Sequence, residues 1–106
     1  MKGQRLCVAA MLVAASASAW AVEGSAEAAK DKISMCVGCH GIPGYRTAFP
    51  VVYHVPKLGG QHPEYIIAAL QAYKNGDRSH PSMRAIAASL SEQDMADLAA
   101  YYGGAQ

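Results

Sequence analysis

The chain has 106 residues, nine Lys and Arg against eight Asp and Glu, and a formal net charge of +1. That length holds one small domain, and so balanced a charge excludes the basic surface with which proteins grip nucleic acid. Large core-formers are scarce, because from Val22 onward Leu, Ile, Val and Phe together number 15 while Ala alone supplies 14, so the centre of the domain is expected to be partly filled by something other than side chains.

Lys2 and Arg5 precede an apolar run from Leu6 to Ala17, and Ala19-Trp20-Ala21 follows as a small-x-small triplet. This is the pattern of a cleaved export signal, read here as residues 1–21, with 22–106 as the single working domain. The run is too short for a spanning helix of roughly 20 apolar residues, so no stable membrane anchor is expected. Ser25 to Met35 then reads as one helix, with Ala26, Ala29 and Ile33 sharing a face.

Cys36-Val37-Gly38-Cys39-His40 comes next. This is the C-x-x-C-H pattern of c-type haem attachment. Cysteines at i and i+3 lie on one side of a helical turn, so both sulfurs reach neighbouring edges of one porphyrin, and His40 follows closely enough to be delivered to the iron. Other chemistries compete for the same residues. A redox-active pair would want a strand-helix-strand setting, a zinc site would want a second ligand cluster, and a plain disulfide would leave His40 and the thin core unexplained.

From Gly41 to Gln61 the pattern breaks at Pro43, Gly44, Pro50, Pro56, Gly59 and Gly60, which predicts a long irregular loop wrapped around something. His62-Pro63 opens a helix whose buried stripe is expected at Tyr65, Ile66, Ala69, Leu70 and Tyr73 and which Asn75-Gly76 closes. An irregular connector carries Met83 toward a brief helix with Ile86 and Leu90. Ser91, with Asp94 three positions on, caps a final helix lined by Met95, Leu98, Ala99 and Tyr102 and ended by Gly103-Gly104. The expected class is all-α, with four or five helices.

The order of these pieces resembles the class I c-type cytochromes, above all the short bacterial periplasmic ones related to cytochrome c4 and c5 domains. The resemblance rests on the helix entering Cys36-Val37-Gly38-Cys39-His40-Gly41, then Pro56-Lys57-Leu58-Gly59-Gly60-Gln61, then Met83, then Leu90-Ser91 through Asp97-Leu98-Ala99-Ala100-Tyr101-Tyr102. It implies the cytochrome c fold around one covalent haem c, with Cys36, Cys39 and His40 attaching and ligating it and Met83 as the distal ligand. It further implies that the Pro56 carbonyl holds the His40 ring, with Pro50 as competitor, that Leu58 packs on the haem, and that Ala29 or Ile33 meets Leu98 and Tyr101 or Tyr102 where the first and last helices cross.

Among rival distal ligands, Met35 adjoins Cys36 on the attachment side, Met95 belongs to a core stripe, and His80 stays open. His54 and His62 read as exposed or structural. Arg46, Arg78 and Gln61 are candidates for the haem propionates. The function implied is a periplasmic one-electron carrier, not an enzyme, docking on redox partner proteins. Two other roles remain open: the cytochrome subunit of a dehydrogenase complex, and a five-coordinate haem enzyme or gas sensor.

Overall fold

The computed structural model describes residues 21–104, so the expected export signal lies, up to residue 20, outside the described residues. Five helices and one minute hairpin follow in the order α1 (Ala26–Ala29), α2 (Ser34–His40), β1 (Arg46–Thr47), β2 (Tyr53–His54), α3 (Pro63–Asn75), α4 (Pro81–Ala88) and α5 (Glu92–Gly104). The all-α class expected from the sequence is the class observed, and none of the described helices is long and apolar enough to cross a membrane.

The single helix expected over 25–35 is divided. Ser25 Oγ accepts the Ala28 amide at the start of α1, but from Lys30 the ladder tightens to i→i−3 bonds, with Lys30 N donating to Glu27 O and Lys32 N to Ala29 O. Such short turns cannot carry a long helix. The chain restarts as α2, whose seven residues are Ser34-Met35-Cys36-Val37-Gly38-Cys39-His40. The whole attachment motif therefore sits on a helix of its own.

The expected irregular loop holds a two-strand antiparallel ladder, Arg46 opposite His54 and Thr47 opposite Tyr53. Thr47 Oγ1 closes its tip by donating to Val51 O at 2.8 Å. Gly76 ends α3 with φ +90, the left-handed C-cap that glycine adopts without strain. Ser91 and Asp94 form the expected capping box: Asp94 Oδ2 accepts the Ser91 amide at 2.8 Å and Ser91 Oγ accepts the Asp94 amide at 3.1 Å.

α5 is the hub, packing on α1 and α3, and α3 packs on α4. Ala29, Ile66, Leu70, Leu90, Met95, Leu98 and Ala99 form the buried cluster, bordered by Ile33, Cys36, Ile67, Met83, Tyr101 and Tyr102. The crossing of Ala29 and Ile33 with Leu98, Tyr101 and Tyr102 is thus present. One expectation fails: Tyr65 is exposed while Ile66 and Leu70 carry the stripe of α3, because this helix buries only the face turned to α4 and α5. Gly103 and Gly104 are the last described residues of α5. A Cβ on Gly103 would stand 2.5 Å from Pro63 Cγ, so this glycine admits the start of α3 against the end of α5.

Candidate haem site

The motif helix α2 contains no buried residue. Met35 and Val37 on it, and Ile42, Phe49, Val51, Val52 and Tyr53 in the stretch that follows, are all exposed, a concentration of open apolar side chains in one segment of the chain. A Cβ on Gly38 would meet nothing within 4 Å. An apolar, planar group fits this side of the molecule, and the donors around it suit a haem: two thiols three residues apart on one helix, an imidazole in the next position, and a thioether bordering the same cluster as Cys36.

His40 is fixed in orientation. Its Nδ1 lies 2.7 Å from the Pro56 carbonyl oxygen; a carbonyl only accepts, so Nδ1 carries the hydrogen and Nε2 keeps its lone pair. The partner is Pro56 and not Pro50. Leu58 is half-buried and Pro56 exposed.

Cys36 and Cys39 are not joined in a disulfide. Burial pushes the Cys36 thiol above its ordinary pKa and Tyr102 up to about 12, with the nearby Cys36 sulfur adding to the rise. The Tyr102 hydroxyl is buried beside Cys36, with no partner at full hydrogen-bond geometry among the described residues. A redox-active or zinc-binding cysteine wants its pKa lowered, and no group of three or more His, Cys, Asp and Glu side chains among the described residues could hold a metal.

Met83 is not in an irregular connector. It stands in the first turn of α4, half-buried on the core cluster. Met95 is 1% exposed inside that cluster, and Met35 is 41% exposed beside Cys36. His80 is the N-cap of α4, where Nδ1 accepts the Met83 amide at 3.4 Å. His54 lies exposed on β2, and His62 stands at the N-cap of α3 without a side-chain cap bond. The propionate candidates divide: the Arg78 guanidinium lies over the Tyr73 ring at 4.7 Å, Gln61 Oε1 accepts the His62 amide, and Arg46 is exposed on β1.

Sequence reasoning missed one polar cluster. Asp97, 2% exposed, accepts the Ser25 amide at 2.8 Å, Lys32 Nζ at 2.5 Å and Gln93 Nε2 at 2.9 Å. Lys32 also pairs with Asp94 at 2.7 Å. The cation holds both carboxyls below their usual range, Asp94 at about 2. The available clue was a carboxylate placed between Ala96 and Leu98 on a helix otherwise facing inward, which demands a partner.

The family model for cytochrome c matches residues 21–102. Cytochrome c-554(548) of Halomonas halodenitrificans is 42% identical over 82 residues, covering 74% of this chain and 94% of that protein. A cytochrome c4 of Pseudomonas aeruginosa is 37% identical over 74% of this chain but only 37% of its own length, so the chain spans little more than a third of that relative. A protein of Chlorobaculum tepidum named as the cytochrome subunit of sulfide dehydrogenase is 31% identical over 92% of this chain and 94% of its own. The chain belongs to the cytochrome c family; it is a haem electron carrier with covalently bound haem c that exchanges electrons with redox partners.

Proposed function

We propose that this member of the cytochrome c family is an exported one-electron carrier in which Cys36 and Cys39 hold the haem and His40 and Met83 are its axial ligands. The observation that carries this reading is the 2.7 Å bond from His40 Nδ1 to Pro56 O, made on a helix with no fully buried residue. Bound there, the haem supplies a reversible Fe(III)/Fe(II) couple. The residues of the chain do the rest. The two thiols stand on one side of α2, the geometry that two thioether links to one ring require. The Pro56 carbonyl fixes the imidazole and raises the basicity of Nε2. A neutral thioether from Met83 favours the reduced state over what a second imidazole would give, raising the potential.

With both axial positions taken, no position is left for a substrate, so the chain is a carrier and not an enzyme. Its near-zero net charge makes partner docking only modestly sensitive to salt, and small, brief interfaces are the rule for such encounters. Residues 1–21 act as the removed export signal, 22–106 as the domain, and the periplasm is the site of action. A second role, as the cytochrome subunit of a dehydrogenase complex, is favoured by the end-to-end match with the Chlorobaculum protein. Co-purification with a large catalytic subunit separates the two.

Met83→Ala tests the ligand set. The reduced variant should bind carbon monoxide rapidly, and the oxidised one should lose the far-red methionine-to-iron band. A variant spectrum identical to that of the unaltered protein overturns the assignment and opens the five-coordinate reading.

A further inference from the structure

The supports of the two axial residues converge on one short piece of chain. Pro56 accepts from His40 Nδ1. Three residues earlier, Tyr53 sets its ring edge-on against His80, centroids 5.2 Å apart and planes at 71°. His80 in turn caps α4 with extended backbone, φ −156 and ψ 117, its Nδ1 accepting the Met83 amide. The geometry points to a brace: the segment Tyr53–Pro56 holds both axial residues, directly at His40 and through His80 at Met83. His80 is thereby a positioning residue for the distal ligand. This inference rests on the reading of Met83 as that ligand.

The choice of residue carries the argument. α4 has eight residues and opens on Pro81, which brings no N–H, so the Met83 amide is among the first orphan donors needing a partner. Helices usually answer that need with Ser, Thr, Asp or Asn. Any of those would satisfy the amide and reach no further. An imidazole caps the amide with one nitrogen and still offers its ring to a distant aromatic, which ties α4 to the hairpin. His62, at the matching position of α3 and also followed by proline, makes no side-chain cap bond, so capping is not what histidine does at every helix start in this chain. The thioether of Met83 sits on freely rotating bonds, and fixing its backbone limits where the sulfur can stand. With Nδ1 accepting, the neutral ring carries its hydrogen on Nε2, so His80 cannot cap and ligate iron at once.

The test compares three variants as haem-loaded protein. His80→Ala removes both links, His80→Asn keeps a cap but loses the ring, and Tyr53→Leu keeps the cap but loses the ring contact. For His80→Ala the far-red methionine band should fade at lower temperature than global unfolding, the fraction of reduced protein binding carbon monoxide should rise several-fold, and the midpoint potential should fall. His80→Asn and Tyr53→Leu should each show the same changes in part. A merely structural cap predicts something else: full rescue by His80→Asn and no effect of Tyr53→Leu, and that result overturns the brace. If His80→Ala does not accumulate with haem, the other two variants decide alone, and wild-type behaviour in both overturns it. Met83→Ala run alongside separates the two failures. If its spectrum matches wild type the ligand assignment falls, whereas if it differs and the three brace variants do not, only the brace falls.

Discussion

At the scale of single residues, the tightest constraint lies where the chain enters the domain. A Cβ on Gly24 would stand 2.0 Å from the Ala96 carbonyl oxygen and 2.4 Å from its carbon. The obstacle is helix backbone, which cannot swing aside. Only glycine lets this segment lie against α5 closely enough for the Ser25 amide to reach Asp97. Gly24→Ala should therefore lower stability by about 1–3 kcal/mol, the range for forced overpacking, read as a lower urea midpoint at unchanged slope. Gly104→Ala, where a Cβ would meet nothing within 4 Å, should leave the midpoint in place. Asp97 gives a pH prediction from the same contact. Lys32 and the Ser25 amide depress its pKa, and Lys32 holds Asp94 at about 2. A depressed carboxyl contributes stability that is fully present above the unfolded value of about 3.9 and is lost as pH falls toward the folded value. Stability should thus decline from about pH 4 to about pH 2. In Asp97→Asn that decline should be shallower, and an identical acid profile would show that the pairing contributes nothing.

At the scale of elements, what the sequence announced and what it hid differ by the range of the interaction. The capping box of α5 was legible because Ser91 and Asp94 satisfy one another three residues apart, with no help from elsewhere. Ser91→Ala should cost about 1 kcal/mol, visible as a lower thermal midpoint, whereas Ser89→Ala removes only a bond back to Ile86 O and should cost less. Gly76 closed α3 for an equally local reason. The C-x-x-C-H spacing was local too, and the structure keeps Cys36, Cys39 and His40 on one helix. The break between α1 and α2 was not, since it follows the turn of Lys32 toward Asp94 and Asp97, 62 and 65 residues away in sequence. Nor was the exposure of Tyr65, because which side of α3 is covered depends on where α4 and α5 lie. The placement of Met83 inside α4 depends on a histidine cap, a residue that propensity does not nominate.

At the scale of the whole molecule, the core is one-sided. Among the described residues, every buried apolar one belongs to α1, α3, α5 or the stretch from Ala87 to Leu90, and between Lys30 and Tyr65 none is buried. That intervening stretch holds the attachment motif, the hairpin and the Pro56 carbonyl, and its apolar side chains Val37, Ile42, Phe49 and Val52 lie open. On the proposed attachment through Cys36 and Cys39, a largely apolar macrocycle would turn this stretch from a draped loop into a second half of the core. Replacing Cys36 and Cys39 together by Ala should accordingly leave a chain that keeps much of its helical signal from α3 and α5 but loses cooperativity. Its urea slope should fall, since the slope scales with the surface released on unfolding, and it should bind hydrophobic dyes as loosely packed states do. Equal slopes and equal thermal midpoints for the haem-loaded protein and this variant would mean that the helices α1, α3 and α5 suffice alone, and that the open apolar side chains between Met35 and Tyr53 are not what the haem covers.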